Sequence, residues 1–393
     1  MLRARANPPF RVLYDLRWME LGKAGGVEQA SYELIAAVSR LDRKNSYRVF
    51  APRSACWEWD FPPRFKVSRH YSDPAEPMAE RFHAFVARRQ SAPAGAVNES
   101  DDLAFDLVHS TCSYINPEVI AFPGILTIQD LQHLHYPEFF SKADWDDRER
   151  LYRESAARAR HIICGSEFTR RDVNARYGVP LEKMTTIWNI PSSAVWREIA
   201  PGKRRELLDA MGVRGRFLFY PAHCWPHKNH ARLVEAVGSI AGELPSDMTV
   251  VLTGGPFPLE HPAAALMREP RLGSRVLHLG YRSPLEVRAL FQDCVALVFP
   301  SLFEGFGMPV AEAIIAGKPV VCSSVTSLPE IGGDAAVMFD PLDVQAMAAR
   351  ILDVATNAEL RASLAAAARR RRVVFSASLS AIKTLAVYEA AMA

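Results

Sequence analysis

Two carboxylates and two glycines lie close together in the stretch 295–321 and could bind a ligand. Glu304 directly precedes Gly305 and lies near Gly307, and Glu312 follows eight residues after Glu304. Glycines let the backbone approach a ligand closely, and the free N–H groups at the start of a helix favour phosphate. Carboxylates are poor partners for phosphate but good acceptors for sugar hydroxyls. A ligand with both phosphate and polyol parts, a nucleotide-sugar, fits the whole set.

The sequence around these residues predicts a strand, a loop, a helix and a second strand. The apolar run 295–299 is typical of a strand buried in a parallel sheet. Residues 302–307 form the predicted loop, and Pro309 suits the first helical turn because its missing N–H carries no penalty there. Gly317 is expected to end the helix, and 319–321 to begin the next strand. The glycine loop then lies at the carboxyl end of a strand, where α/β sheets bind ligands.

The nine residues from Glu304 to Glu312 read EGFGMPVAE, with two glutamates separated by seven residues in the frame EGFG-x-P-x-x-E. This motif resembles the signature of retaining glycosyltransferases of family four. For either glutamate alone, an ordinary surface loop before an amphipathic helix would be the simpler interpretation. The resemblance implies the GT-B fold, an α/β architecture of two Rossmann-like, doubly wound domains that face a central cleft.

The resemblance also implies a reaction. A hexose would pass from a nucleotide-diphosphate sugar, with GDP-mannose or a UDP-sugar as the expected donor, to a saccharide or lipid-linked acceptor. The setting would be glycan, lipopolysaccharide or exopolysaccharide synthesis. Front-face attack by the acceptor, with the departing phosphate taking its proton, would retain the anomeric configuration without a metal. The nucleotide-sugar is a substrate, so no cofactor is expected.

A lysine lies where a diphosphate would need a cation. Lys228 follows the predicted buried strand 216–220, at the junction of a loop and a helix. The helix dipole there would help the lysine to neutralise phosphate. The resembled family places an arginine or lysine five residues earlier, and His223 occupies that position here. Either a neutral His223 donates one hydrogen bond to phosphate, or Lys228 meets most of the charge.

By the same resemblance, Glu312 holds the ribose and Glu304 the transferred sugar. The catalytic candidates are Lys228, Glu304, His223 and His133. The other donor-binding candidates lie in glycine loops and turns: Gly25, Gly26, Asn229, Gly254, Tyr281, Arg282, Gly305, Phe306, Gly307 and Met308.

Three histidines in the loop before the predicted helix at about 231 could also suggest a metal site. They are His223, His227 and His230, but Pro226 breaks any helical register between them. No CxxC pair or carboxylate lies nearby in the sequence. We therefore expect no metal.

The first half of the chain carries the acceptor-side candidates. Asp130 and His133 follow the predicted strand 124–129 and are expected at the mouth of the cleft. Members of the resembled family commonly show His-Asp-Leu here, whereas this chain has Gln129 in place of the histidine. Asp130 is equally suited to capping a turn and to contacting an acceptor.

An earlier glycine loop argues against a dinucleotide. Residues 10–15 predict the first strand, followed by Gly22, Gly25 and Gly26 and then a helix. The spacing does not match GxGxxG, and no acidic residue follows at the expected strand end. Members of the resembled family carry a Gly-Gly pair in the same loop, facing the cleft.

The segment 52–102 is rich in prolines, charges and aromatic residues. It predicts a loop with one helix near 78–89. Trp57, Trp59 and Phe61 could stack on an acceptor, although packing within the domain is the simpler interpretation.

Length and composition indicate two domains. At 393 residues the chain exceeds a usual single core. We predict an N-terminal acceptor-side domain over 1–195 and a donor domain over 196–375. A final helix over 376–393 would cross back to the first domain, as in the resembled fold. The net charge of +3 gives no reason to expect nucleic acid as a partner.

The sequence also bears on location. No apolar run reaches the roughly 18 residues of a membrane span, and the N-terminus lacks an apolar signal core. Six scattered cysteines without CxxC spacing favour reduced thiols in a cytoplasmic protein. Four adjacent arginines, 369–372, predict a solvated helix face or attraction to an anionic leaflet. Peripheral contact with the cytoplasmic membrane face is thus a further hypothesis.

Two other classes of function stay open. A nucleotide-sensing or scaffold protein could keep the fold without transfer, and His223 and Gln129 are the departures that favour it. An NAD(P)-dependent Rossmann enzyme is disfavoured by the missing fingerprint.

Overall fold

The computed structural model describes residues 9–17, 25–51, 62, 64–68, 105–192, 197–258, 260–270 and 272–393. Gly22, Trp57, Trp59, Phe61 and the predicted helix 78–89 lie outside the described residues. The chain divides into two compact units. One unit is Met1–Ile190 with Ala377–Ala393, and the other is Pro191–Ser376.

The first unit contains a seven-stranded parallel sheet in the order β3-β2-β1-β4-β5-β6-β7. Its strands are β1 (Arg11–Asp15), β2 (Ser46–Phe50), β3 (Phe65–Ser68), β4 (Leu107–Ser110), β5 (Gly124–Ile128), β6 (His161–Cys164) and β7 (Met184–Thr186). Its first helices are α1 (Gly26–Leu41), α2 (Gln132–His135), α3 (Lys142–Arg158) and α4 (Glu167–Tyr177). The predicted loop after β2 therefore contains a strand, β3, that is too short to show a clear alternation of apolar residues.

The second unit contains a six-stranded parallel sheet in the order β10-β9-β8-β11-β12-β13. Its strands are β8 (Arg216–Pro221), β9 (Met248–Thr253), β10 (Val276–His278), β11 (Ala296–Phe299), β12 (Val320–Ser323) and β13 (Ala336–Phe339). Its helices are α5 (Pro201–Ala210), α6 (His230–Ser239), α7 (Pro262–Leu266), α8 (Pro284–Asp293), α9 (Met308–Ile315), α10 (Leu328–Gly332), α11 (Val344–Thr356) and α12 (Ala358–Arg371). A 3-10 turn, Pro226–Lys228, precedes α6, and another, Arg372–Val374, follows α12.

Both sheets are doubly wound, and each has one point where the strand order reverses. These points lie between β1 and β4 and between β8 and β11. The central strands are buried on both faces, as in the fully buried run Ala296–Phe299. In open parallel sheets, ligands bind beyond the carboxyl ends of the strands at such a reversal. In the second unit, a ligand is therefore expected at the loops after β8 and β11.

The final helix, α13 (Ala377–Met392), packs against α1 in the first unit. Its Tyr388 is fully buried and donates a hydrogen bond to the Tyr14 hydroxyl at 2.8 Å. The same Tyr388 oxygen lies 2.6 Å from His109 Nδ1, and His109 Nε2 lies 2.8 Å from the Thr127 hydroxyl. Burial lowers the pKa of His109 to about 3, so its ring stays neutral. One tyrosine thus joins the last helix to two central strands.

Replacing Tyr388 with phenylalanine should destabilise the protein by about 1–3 kcal/mol, because two buried polar groups lose their partner. Thermal or urea unfolding measures the loss. Tyr281→Phe is the matched control, since Tyr281 is 66% exposed and its loss of a hydroxyl should change stability by less than about 0.5 kcal/mol. Equal effects of the two substitutions would contradict this role for Tyr388.

Candidate functional site

A lysine and a glutamate meet at the reversal point of the second sheet. Lys228 ends the 3-10 turn after β8, and Glu304 lies in the loop after β11. Lys228 Nζ lies 2.6 Å from Glu304 Oε1, and the two side chains are only 13% and 12% exposed. The ring of Phe299 lies 5.4 Å from the ammonium group. The predicted diphosphate cation and the predicted sugar-binding carboxylate therefore form one half-buried ion pair.

Backbone and hydroxyl hydrogen bonds hold the glutamate's loop. Leu302 N donates to the carbonyl oxygen of His227 at 2.8 Å, which joins this loop to that of the lysine. Glu304 N donates to Thr326 Oγ1 at 3.1 Å, and Ser327 Oγ donates to the Glu304 carbonyl at 2.9 Å. The backbone of Glu304 is thus held at both its N–H and its carbonyl group.

Thr326 and Ser327 are residues whose part in the site was missed from the sequence. They follow β12, the strand beside β11, so the order of strands in the sheet brings their loop to Glu304. Thr326 has a positive φ of 54°, which marks a constrained loop position. The sequence stretch 324–331 gave only a weak functional signal, because the order of strands cannot be read from local residues.

Asn229 has a structural role that differs from its predicted donor contact. Its backbone is left-handed, with φ 59°, a conformation that asparagine tolerates. Its side-chain nitrogen donates to the carbonyls of Pro300 at 3.0 Å and Pro341 at 2.9 Å, and its oxygen accepts from Arg232 at 3.0 Å. The buried amide therefore fixes the lysine loop, and the predicted contribution of Asn229 to donor binding stays a prediction.

Three rings form a row beside the lysine. His223 stacks on Trp225 with ring centroids 5.0 Å apart, and Tyr281 meets His223 edge-on at 5.7 Å. Trp225 is 44% exposed and Tyr281 66% exposed. Burial, and then the charge of Lys228, lower the pKa of His223. Both causes favour the neutral ring of His223, and its predicted hydrogen bond to phosphate stays a prediction.

The two neighbouring histidines are neutral, with His227 half-buried and His230 buried. Burial lowers the pKa of His227 to about 2 and that of His230 to about 3, and the charge of Lys228 acts in the same direction. Among the residues that the structure describes, no group of three His, Cys, Asp or Glu side chains could hold a metal ion.

Two glycines shape the backbone of the site. Gly254, after β9, has φ 134°, and a Cβ there would lie 2.1 Å from the carbonyl oxygen of Ala222 in the loop after β8. Gly307 precedes the first residue of α9 with φ 93°, and a Cβ there would lie 2.6 Å from Leu328. Both positions need glycine, because the conformation and the available space exclude a side chain.

The remaining residues of the motif lie on the loop and on α9. Gly305 and Phe306 are buried, so the phenylalanine ring belongs to the core of the unit. Met308 and Glu312 are half-buried, with Glu312 one turn inside α9.

The side chain of Arg282 has a structural role, and the predicted donor contact of this residue stays a prediction. Its guanidinium donates to the carbonyl of Leu279 and lies 3.6 Å from Glu286, whose carboxylate completes a capping box with Ser283 at the start of α8. The side chain therefore stabilises its own turn.

His133, a catalytic and acceptor-side candidate, is buried. It is 1% exposed and lies 3.2 Å from Glu149, enclosed by Trp145, Tyr152 and Phe140. Desolvation lowers its pKa. The ring joins α2 to α3, which is a structural role, and its predicted contact with an acceptor stays a prediction.

The other acceptor-side residues have mixed outcomes. Asp130 accepts a hydrogen bond from Gln132 N at 3.0 Å, as in an Asx turn, and its predicted contact with an acceptor stays a prediction. Gln129 donates to the carbonyl of Thr111 at 3.0 Å and accepts from Asn189 at 3.0 Å, so it bridges the ends of neighbouring strands.

Gly25 and Gly26 lie at the start of α1. Gly25 has φ 53° and occupies the position before the first helical residue. Their predicted contact with the donor stays a prediction.

Family comparisons agree with this arrangement. The model for glycosyl transferases group 1 matches residues 212–371, and the model for Glycosyltransferase Family 4 matches residues 24–190. The chain belongs to the group 1 glycosyltransferases. The group 1 match contains the Lys228–Glu304 pair and the two glycines Gly254 and Gly307.

Curated relatives of this group 1 glycosyltransferase include named mannosyltransferases. The O-antigen chain mannosyltransferase B of Escherichia coli is 28% identical over 230 residues, which are 58% of this chain and 60% of that protein. The MMP alpha-(1->4)-mannosyltransferase of Mycolicibacterium hassiacum is 34% identical over 188 residues, which are 46% of this chain and 44% of that protein. Each match spans less than two thirds of the relative.

Solved structures resemble the whole glycosyltransferase chain. Anabaena HepE, in complex with UDP and glucose, has a TM-score of 0.66 at 18% identity and covers 96% of this chain and 100% of its own. A glycosyltransferase from Rickettsia africae has a TM-score of 0.70 at 14% identity, and the match covers 98% of this chain and 99% of that protein. At such low identity the likeness shows the fold, and the predicted two-domain α/β GT-B fold is confirmed.

Gly254→Ala should destabilise the second unit by about 1–3 kcal/mol through backbone strain, because its Cβ meets a carbonyl oxygen. The neighbouring Gly255→Ala is the matched control, since a Cβ there lies 3.1 Å from the Tyr281 hydroxyl, the end of an exposed side chain that can move. Urea unfolding compares the two variants. Equal stability of Gly254→Ala and Gly255→Ala would contradict the constraint.

Proposed function

We propose that this chain is a retaining, metal-independent hexosyltransferase that uses a nucleotide-diphosphate sugar as donor. The acceptor is a saccharide or lipid-linked glycan in polysaccharide synthesis. The single observation that carries the proposal is the half-buried Lys228–Glu304 pair at the reversal of the second sheet. This arrangement supplies one cation for phosphate and one carboxylate for sugar hydroxyls.

Mannose is the favoured sugar and GDP-mannose the favoured donor. The O-antigen relative and the MMP relative are both named mannosyltransferases. UDP-sugars remain the second choice, since the HepE structure holds UDP and glucose.

Lys228 stabilises the leaving group. As the glycosidic bond breaks, negative charge grows on the nucleoside diphosphate, and a cation already placed beside it lowers the barrier. His223 is neutral and adds one hydrogen bond, while the N–H groups at the start of α9 add partial positive charge. Lys228 is thus the main charge partner, because His223 replaces the second cation of the resembled family.

The two glutamates bind hydroxyls in this mechanism. Glu304 holds the transferred hexose and Glu312 the ribose. Glu304 lies in a loop and Glu312 in the helix that follows it, so both carboxylates serve the donor. A retaining glycosidase instead places its two carboxylates on either side of the scissile bond. The acceptor attacks from the face that the phosphate leaves, and the phosphate takes its proton.

Glu312→Ala should weaken nucleotide binding, measured by titration calorimetry with GDP and UDP.

Lys228→Ala should reduce transfer by about 10²–10³-fold, the usual cost of one charge-stabilising donor. Transfer is followed by nucleoside diphosphate released from GDP-mannose or UDP-sugars with mannosides as acceptors. The exposed Glu235→Ala and Lys203→Ala are matched controls that should leave binding and transfer unchanged.

Full activity of both Glu312→Ala and Lys228→Ala would show that the donor site is wrongly assigned. Donor binding by the unmodified protein without any transfer would instead favour the sensor or scaffold function. The anomeric configuration of the product, read by NMR, tests retention separately.

A further inference from the structure

The 3-10 turn Arg372–Val374 carries an apolar surface that the core does not explain. Val373 is 71% exposed and Val374 is 39% exposed. The next residue, Phe375, is buried at 3% and anchors the turn. Two adjacent valines therefore lie in water at the end of a fixed turn.

The arginines before these valines have different roles. Arg371 donates to the carbonyls of Ile331 and Glu330, so it holds α12 against α10. Arg370 forms an exposed ion pair of 3.3 Å with Asp334, of the weak surface kind. Arg369 and Arg372 are exposed, and within the described part of the chain no carboxylate lies at ion-pairing distance from either.

The sequence on both sides of the turn is rich in basic residues and contains no acidic residue. Residues 360–388 contain six basic side chains and no Asp or Glu. Asp334 offsets the charge of Arg370, so Arg369 and Arg372 supply the positive charge beside the turn, although the whole chain has a net charge of only +3.

The helices on the two sides of the turn are partly packed inside the protein, with 33% of their apolar window buried. Among the described residues, the run Ala358–Met392 is long and apolar enough for a span by length and composition. It is broken by the 3-10 turn, and its apolar side chains on both helices pack inside the protein: Leu364, Ala367, Ala368, Ala381 and Tyr388. Contact with a membrane surface is then the arrangement that the remaining exposed residues allow.

We propose that this turn is a peripheral membrane contact. Val373 and Val374 enter the interface of an anionic bilayer, while Arg369 and Arg372 bind lipid phosphates. A cationic patch alone would suit any polyanion, including nucleic acid. The exposed valines favour the bilayer, because apolar side chains gain free energy only where they leave water. The inference does not depend on the proposed transfer reaction.

Flotation of the full chain with vesicles tests the contact. The chain should bind vesicles of phosphatidylcholine mixed with phosphatidylglycerol, bind weakly to phosphatidylcholine alone, and dissociate as salt is raised. R369E/R372E should lower the partition coefficient by at least about 25-fold, since each cation contributes roughly fivefold. V373S/V374S should lower it by roughly tenfold.

R205E/R214E is the matched control for charge, because both arginines are exposed in the same unit away from the turn. Leu181→Ser is the control for an exposed apolar side chain, 39% accessible in the first unit. Both controls should bind like the unmodified chain, and all variants should unfold at the same temperature.

Absence of vesicle binding by the unmodified chain would overturn the proposal. So would unchanged binding of either R369E/R372E or V373S/V374S. A third result would equally overturn it. The chain would bind a polyanion such as heparin but no vesicles, and only R369E/R372E would lose that binding. The patch would then bind a soluble anion.

Discussion

The ion pair between Lys228 and Glu304 is the interaction on which the second unit's site depends. Each partner is largely removed from water, so loss of either would leave an uncompensated charge at considerable cost. The pair is therefore stable only while both loops keep their positions. A diphosphate arriving at Lys228 can replace the carboxylate as its partner, which leaves Glu304 able to accept sugar hydroxyls. The same two groups that stabilise the unliganded site can thus bind the two halves of a donor.

Parallel sheet geometry places these groups. β8 and β11 are neighbours in the sheet, although the loops that follow them begin 78 residues apart, at Ala222 and Pro300.

 The loop that carries Lys228 leaves β8 after Pro221, and the loop that carries Glu304 leaves β11 after Phe299, so both emerge at one edge of the sheet. Glycine at position 254 lets a third loop pass against the carbonyl of Ala222. The fold thus brings together residues that are far apart in sequence.

Much of this could be predicted from the sequence. Alternating apolar runs and amphipathic helices indicated two doubly wound sheets, and the EGFG-x-P-x-x-E motif indicated the family. Lys228 and Glu304 were both predicted from local features, a cation before a helix and a carboxylate in a glycine loop. Their direct contact was not, because it depends on which strands are neighbours.

Three of the candidate residues have structural contacts that the sequence does not reveal. His133, Asn229 and Arg282 are polar residues near predicted strand ends, and their residue types suit a ligand as well as they suit a buried or capping role. Their hydrogen bonds to Glu149, Pro300 and Leu279 depend on packing that local sequence does not encode. Trp225 was not among the predicted site residues, because its stacking on His223 beside the lysine is visible only in the structure.

The most direct measurement is thermal unfolding of the protein with GDP, UDP, ADP, their common sugar conjugates and NAD. The account predicts that one family of nucleoside diphosphates raises the unfolding temperature. At about a hundred times its Kd such a ligand adds roughly 2.7 kcal/mol to the free energy of unfolding. Stabilisation by none of these nucleotides, or by NAD alone, would contradict a nucleotide-sugar site at Lys228 and Glu304.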